Sequence, residues 1–235
     1  MRFLLLILLL TPGISQNKTI ELNNVLDGTF RTSGIGGYNW VNGEDAYYFS
    51  ESDSDGKHFY IYNLASDDTT KAFSINTDII DRFSSTFSDN QTKLLLKTNS
   101  IKIWRHSSYG TYHVYDINTD SIQPVSDDPD SLRNVKFSPN GRLIAYVRKD
   151  SNLYVYDIER DRQRQLTTTG SKTRSNGHFG WLYEEELTGY DGYRWSPNSE
   201  SIAYWEEDES MVPEFSMIND LGQYPAIKKI RYPKA

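Results

Sequence analysis

Three adjacent glutamates, Glu184, Glu185 and Glu186, are the residues of this chain that most suggest a binding chemistry. Aromatic and apolar residues flank them, and the run interrupts a pattern that otherwise indicates β-strands. Two carboxylates on one turn can point at a single ammonium group, and each charge-assisted hydrogen bond contributes roughly 1.5–3 kcal/mol. Acidic runs of this length are also typical of a short solvated helix between strands. The residues alone therefore leave two interpretations open, a cation-binding site and an exposed helix.

Arg105 is the second candidate for binding, because a guanidinium presents a rigid fork of donors to a carbonyl or a carboxylate. It follows Trp104 and precedes His106 and Ser107. The alternative interpretation is an arginine at a strand edge, stacked on Trp104 and exposed to water.

Catalytic and metal-binding motifs are missing from the sequence. The 235 residues contain no Gly-x-Ser-x-Gly, no HExxH, no Walker loop and no GxGxxG. They contain no cysteine, which excludes disulfides, thiolate zinc sites, iron–sulfur clusters and a cysteine nucleophile. We therefore expect no catalytic residue, no metal site and no cofactor. The net charge of -7, without a basic patch, argues against binding of nucleic acid.

Residues 1–15 have the pattern of a cleaved signal peptide, with Arg2, an apolar run and then Pro12 before small residues. The apolar run is far shorter than the ~20 residues that a membrane-spanning helix needs. We therefore expect a secreted protein without a spanning segment. In a secreted chain, Asn17 and Asn90 become candidate N-glycosylation sites, because each begins an Asn-x-Thr triplet.

The remaining sequence, residues 16–235, is typical of an all-β protein. Short segments rich in aromatic and β-branched residues alternate with polar turns, and no long helical period occurs. These segments are 46–49, 58–62, 93–96, 112–115, 143–147 and 153–156.

Two repeated motifs indicate the architecture. A turn with Ser and Asn precedes a hydrophobic strand at Ser88, Ser138 and Ser196, with a weaker copy at Asn42. A tyrosine followed by Asn or Asp then recurs, at Tyr62, Tyr115 and Tyr156. Four-stranded units that repeat every 40–50 residues or so are propeller blades, whereas a β-sandwich does not repeat at this period. We predict about four blades of a larger β-propeller, since no strand that would close a ring is evident.

Two separate motifs resemble the dipeptidyl peptidase IV family. The first is the run from Trp181 to Leu187, followed by Tyr190 and by the turn at Ser196. The second comprises Ile103, Trp104, Arg105, His106 and Ser107. The resemblance extends from about Ile75 to Ala235. It implies an eight-bladed propeller joined to an α/β-hydrolase domain with a Ser-Asp-His triad, which removes X-Pro or X-Ala dipeptides from peptide N-termini.

The resemblance also implies residue roles. Glu185 and Glu186 match the two glutamates that bind the substrate α-ammonium group, and Arg105 matches the arginine that holds a substrate carbonyl. Glu184 matches a structural glutamate, and Trp104 lies beside the site. The segment after Asp208 resembles a family dimerisation element, so a homodimer is implied for the full-length protein.

The chain contains no hydrolase domain, so we expect it to be an N-terminal portion of a longer enzyme that is not catalytic by itself. The rival interpretation is a non-enzymatic binding module, like the members of this family that lack the nucleophile. A complete small propeller of a structural kind is a third alternative, which the two matched motifs disfavour.

Overall fold

The computed structural model describes residues 20–31, 37–129 and 131–232, and the chain divides into two compact units, residues 1–37 and 38–235. The first unit contains a short helix, α1 (Leu22–Leu26), whose first turn is closed by a capping box of Glu21 and Asn24. No residue of α1 is buried. The predicted signal peptide and Asn17 lie outside the described residues.

The second unit begins with three four-stranded antiparallel sheets, each with its strands in chain order. The first sheet contains β1 (Asn39–Trp40), β2 (Ala46–Ser52), β3 (Gly56–Asn63) and β4 (Asp68–Asn76). The second contains β5 (Ser84–Phe87), β6 (Lys93–Lys102), β7 (Ser108–Asp116) and β8 (Ser121–Pro124). The third contains β9 (Arg133–Phe137), β10 (Leu143–Val147), β11 (Leu153–Asp157) and β12 (Arg162–Gln165).

The fourth repeat is interrupted. It contains β13 (Arg174–Asn176), helix α2 (Trp181–Leu187), β14 (Tyr193–Trp195), β15 (Ile202–Tyr204) and β16 (Glu206–Asp208). Strand β13 pairs with β16, and β14 pairs with β15. An exposed hairpin follows, made of β17 (Glu214–Asn219) and β18 (Ala226–Arg231), which we call the arm.

The predicted Ser-containing turns join β5 to β6, β9 to β10 and β14 to β15. Ser88, Ser138 and Ser196 each donate a side-chain hydrogen bond to the Asn two residues later, at 2.8, 2.8 and 2.6 Å. The same hydroxyl accepts the N–H of the residue five positions later. The repeated sequence therefore forms a repeated turn, as predicted.

Successive sheets pack face to face, because their central strands are apolar on both sides. Leu94 and Leu96 of β6 pack with Phe59 and Ile75 of the first sheet. Leu95, between them, faces the third sheet, where it packs in a cluster with Ile144. On β10 the alternation continues, since Ala145 and Val147 pack with Leu153 and with Tyr193 of the fourth repeat. This stacking of four-stranded sheets is the arrangement of propeller blades.

Candidate functional site

The glutamate run lies on α2, in the insertion between β13 and β14. The helix ends at Thr188, which adopts a left-handed conformation with φ of 56°, and the N–H of Gly189 donates to the Tyr183 carbonyl at 2.8 Å. The three carboxylates have different environments. Glu184 is fully buried, the Glu185 side chain is 14% exposed and Glu186 is exposed. The interpretation as a uniformly solvated helix is therefore wrong for Glu184.

Glu184 fixes the loop that carries Arg105. Its Oε1 atom accepts the backbone N–H groups of His106 and Ser107, each at 2.7 Å. Residues 103–107 form a tight turn between β6 and β7, closed by the N–H of Ile103, which donates to the Ser107 carbonyl at 3.0 Å. A buried carboxylate with two backbone donors makes strong, charge-assisted hydrogen bonds. Glu184 therefore joins α2 to the loop of the second sheet.

Glu185 binds Arg105 twice. The Arg105 Nε atom lies 3.0 Å from Glu185 Oε2, and the Arg105 backbone N–H donates to Glu185 Oε1 at 3.1 Å. The Arg105 side chain is 66% exposed, so most of its guanidinium faces solvent. Within the described residues, no hydrogen bond or ion pair engages the Glu186 carboxylate. The structure thus brings Glu185 and Arg105 together, and Glu186 is exposed at the next position of the helix.

Trp104 does not stack on Arg105 among the described contacts. It is half-buried and lines a cavity of about 320 Å³, with Trp181 and Glu209 on one side and Arg231 of the arm on the other. The strand-edge interpretation, with Arg105 stacked on its neighbour, is therefore wrong in this detail.

The acidic run at the end of the fourth repeat, residues 206–209, supports the start of α2. Glu207 Oε2 accepts the N–H of Gly180, the residue before the helix, at 2.7 Å. Burial raises the pKa of Glu207, and burial together with the charge of Glu207 raises the pKa of Glu209. A Cβ on Gly180 would lie 2.0 Å from Glu209 Oε1, so a larger residue there would require the Glu209 carboxylate to move.

His106, next to Arg105, packs on Tyr190. The two rings are stacked with centroids 5.8 Å apart and an interplanar angle of 20°. The Tyr190 carbonyl accepts a hydrogen bond from Asn134 Nδ2 at 2.9 Å, and Asn134 has a positive φ of 54°. Asn134 could not be identified from the sequence, because a polar residue in a short strand carries no signal of a distant partner.

Asn90, a predicted glycosylation site, is exposed and lies in a Ser-containing turn. Its Oδ1 atom accepts hydrogen bonds from the hydroxyls of Ser88 at 2.8 Å and Thr92 at 3.0 Å. Its amide also lies against Gly141 of the next sheet.

In residues 20–31, 37–129 and 131–232, no helix is long and apolar enough to cross a bilayer. The same residues contain no group of three or more His, Asp or Glu side chains arranged to hold a metal ion.

Comparison with known proteins connects this geometry to a family. The family model described as the dipeptidyl peptidase IV (DPP IV) N-terminal region matches residues 88–235. A probable dipeptidyl-aminopeptidase B of Talaromyces marneffei is 30% identical over 258 aligned positions, which cover 96% of this chain and 28% of that protein. Dipeptidyl aminopeptidase B of Saccharomyces cerevisiae is 36% identical over 156 positions, covering 64% of this chain and 19% of the relative.

A solved structure shows the same fold. The crystal structure of Porphyromonas gingivalis dipeptidyl peptidase 4 superposes with a TM-score of 0.79 at 27% identity, covering 93% of this chain and 32% of that one. This chain spans less than a third of the length of each of these proteins.

Proposed function

The chain belongs to the dipeptidyl peptidase IV family, as its N-terminal propeller region, and we propose that it binds the free N-terminus of peptide substrates. The observation that carries the proposal is the grouping of Glu185, Glu186 and Arg105 on one surface. Glu185 is held by Arg105 at 3.0 Å, and Glu186 is exposed beside it without an ion pair among the described residues. The two carboxylates offer acceptors for an ammonium group, and the exposed guanidinium offers donors for a carbonyl.

The binding chemistry follows from charge. A peptide α-amino group has a pKa near 7.7–8.0, so it is largely protonated at neutral pH. Glu185 and Glu186 accept its N–H groups, while the Arg105 guanidinium, already anchored on Glu185, donates to the backbone carbonyl of the peptide. Binding of this kind fixes the distance from the N-terminus to the bond that a peptidase would cleave after the second residue. The residues of this site position the substrate and break no bond.

The test is a titration of the chain with a tetrapeptide, Ala-Pro-Ala-Ala, followed by NMR and compared with the N-acetylated peptide. We expect the free peptide to bind and the acetylated one to bind at least about tenfold more weakly, since acetylation removes a charge-assisted contact. Glu185→Gln and Glu186→Gln should each weaken binding of the free peptide by a similar factor. Glu51→Gln, at an exposed position of β2, is the matched control and should leave binding unchanged.

Equal affinity for the two peptides would overturn the proposal, because the positive charge would then contribute nothing. A loss in Glu51→Gln as large as in Glu185→Gln would also contradict it, since a general loss of negative charge would explain both.

Four wider properties complete the proposed function. We propose that the protein is secreted, on the pattern of residues 1–15, and that glycans attach at Asn17 and Asn90. We propose that the full-length protein removes X-Pro or X-Ala dipeptides, with this chain binding the substrate. We also propose that the arm mediates a homodimer. The exposed apolar residues of the arm support this last proposal.

A further inference from the structure

Helix α2, which carries the glutamate run, is too short to hold its position by itself. It has seven residues, Trp181–Leu187, and no side chain caps its first turn, because the N-cap residue is Gly180. Isolated helices shorter than about 12–15 residues are marginal in water, so in a protein they depend on packing against other elements. The directions in which Glu185 and Glu186 point are therefore set by the residues that α2 contacts.

The base of the arm makes one of these contacts. Tyr232, the residue after β18, packs on Trp181, the first residue of α2, with ring centroids 5.2 Å apart and an interplanar angle of 60°. Tyr232 is half-buried, and the centroid of its ring also lies 6.2 Å from that of Phe215 on β17. Aromatic rings from both ends of the arm therefore lie against the start of the helix.

Hydrogen bonds hold Tyr232 at this place. Its N–H donates to the Pro213 carbonyl at 3.3 Å, and the guanidinium of Arg231 donates to the Val212 carbonyl at 2.6 Å. These bonds close the base of the hairpin. Strand β16, which precedes the arm, is paired with β13 of the fourth repeat. The base of the arm is therefore joined to the fourth repeat and gives α2 a fixed support.

The contact with Tyr232 lies on the side of α2 that carries a proposed binding residue. Trp181 and Glu185 are four positions apart, and residues at this spacing are neighbours on the surface of a helix. Trp104, which precedes Arg105, lines the cavity of about 320 Å³ together with Trp181 and residues of β18. The base of the arm therefore borders both parts of the proposed peptide site, the helix and the Arg105 loop.

We propose that Tyr232 is a positioning residue for the binding of the peptide N-terminus, acting through Trp181 and α2. Its ring supports the first turn of the helix, so that Glu185 keeps its place at Arg105. This inference rests on the proposed function, since what Tyr232 positions is the proposed peptide site. It is separate from the proposed homodimer, because the contact of Tyr232 with Trp181 lies within one chain.

Substitutions at Tyr232 test this role in a titration with Ala-Pro-Ala-Ala. Tyr232→Ala should weaken binding about three- to tenfold, because it removes the ring that supports α2. Tyr232→Phe keeps the ring and should stay within about twofold of the wild type. Tyr224→Ala is the matched control and should also leave the affinity unchanged, since Tyr224 lies between β17 and β18, is 79% exposed and makes no ring contact within the described residues.

A double-variant cycle tests whether Tyr232 acts through Trp181. Trp181→Leu should also weaken binding of the peptide. Combined with Tyr232→Ala, it should cost less than the product of the two single losses, since both changes remove the same contact. If the two losses multiply, or if Tyr232→Ala binds the peptide as the wild type does, the proposal is overturned. Should Tyr232→Ala fail to fold, Tyr232→Leu replaces it, because leucine keeps apolar volume but lacks the ring.

The backbone amide signals of Glu185 and Glu186 give a readout that does not need the peptide. We expect both signals to move in Tyr232→Ala and to stay in place in Tyr232→Phe. Signals that do not move in Tyr232→Ala would contradict the proposal. Failure of the proposed peptide binding is separate, because it would appear in the wild type as equal affinity for the free and acetylated peptides.

A last variant separates the base of the arm from the rest of the hairpin. Ile218 and Ile227 pair with each other farther from the base, so replacing both by lysine keeps the contact of Tyr232 with Trp181. The affinity for the peptide should then stay within about twofold of the wild type. A loss as large as in Tyr232→Ala would show that the arm acts through assembly, and it would overturn the role of Tyr232.

Discussion

At the scale of residues, three neighbouring glutamates of identical chemistry acquire three different roles. A helix turns by about 100° per residue, so adjacent side chains face different surroundings. Glu184 points at backbone N–H groups, Glu185 at Arg105, and Glu186 at solvent. The triplet was recognisable from the sequence, and its grouping with Arg105 was expected from the resemblance. The three glutamates differ in their environments because two of them contact a loop about 80 residues earlier in the chain. A local sequence pattern carries no information about a contact at that separation.

His178 gives a prediction at the same scale. Its pKa of about 3 in the folded state lies below its ordinary value of 6.5, so the folded protein keeps it neutral where the unfolded chain takes up a proton. Its contribution to stability is therefore complete above about pH 6.5 and is lost as the pH falls from there towards 3. The loss approaches about 1.4 kcal/mol per pH unit. We expect the free energy of unfolding to fall less steeply between pH 6.5 and 4.5 in His178→Gln than in the wild type.

The measurement is urea unfolding at several pH values. Parallel curves for the wild type and His178→Gln would show that His178 is not buried in its neutral form.

At the scale of elements, one short motif produces the same turn three times. The Ser hydroxyl both donates to the following Asn and accepts an N–H from the next strand, and backbone hydrogen bonds of the same Ser close the turn with it. The residue at the tip has a positive φ, with values of 55° at Gln91, 69° at Gly141 and 62° at Ser199. The motif could be read from the sequence because its hydrogen bonds are local, spanning two to five residues.

Burial distinguishes the copies of this turn, and it predicts different costs for the same substitution. Ser138 is fully buried, whereas Ser196 is half-buried with equivalent hydrogen bonds. Ser138→Ala should lower the free energy of unfolding by about 1–3 kcal/mol, because Leu143 N–H and Asn140 lose a partner that water cannot replace. Ser196→Ala should cost less than about 1 kcal/mol, since water can reach its turn. Thermal or urea unfolding of the two variants measures both. Equal losses would contradict the claim that burial sets the cost.

Only part of the second repeated motif could be predicted from the sequence. Tyr115 donates to Asp120 at 2.6 Å and Tyr156 donates to Asp161 at 2.7 Å, and both aspartates have positive φ. The sequence indicated the tyrosine and the Asp that follows it at the end of the third strand. The partner that closes each turn is another aspartate five residues after the tyrosine, at a position that the repeat did not mark.

At the scale of the whole molecule, the family match and the solved structure confirm the propeller prediction. The prediction was possible because the repeat in the sequence follows the repeat in the fold. Successive sheets pack on each other, and therefore the central strands carry apolar residues on both faces. That condition imposes the same sequence pattern on every blade. The fourth repeat departs from the pattern because α2 is inserted between β13 and β14. The hydrogen bond from Asn134 to the Tyr190 carbonyl was not predictable, since it joins different repeats and obeys no period.

The arm provides the last prediction, which tests the proposed homodimer. Ile218 and Ile227 face each other across the β17–β18 pair and are 71% and 67% exposed. Exposed apolar pairs of this kind, on a hairpin with no buried residue, favour association with another apolar surface.

If the arm mediates dimerisation, replacing both isoleucines by lysine should shift the protein from dimer to monomer in analytical ultracentrifugation. Leu64, which is exposed just after β3, is the control, and its replacement by lysine should leave the dimer intact. Each 1.4 kcal/mol of association free energy that the variant loses would raise the dissociation constant of the dimer about tenfold. A wild-type protein that stays monomeric at all accessible concentrations, or a double lysine variant that dimerises as well as the wild type, would place any assembly surface elsewhere on the molecule.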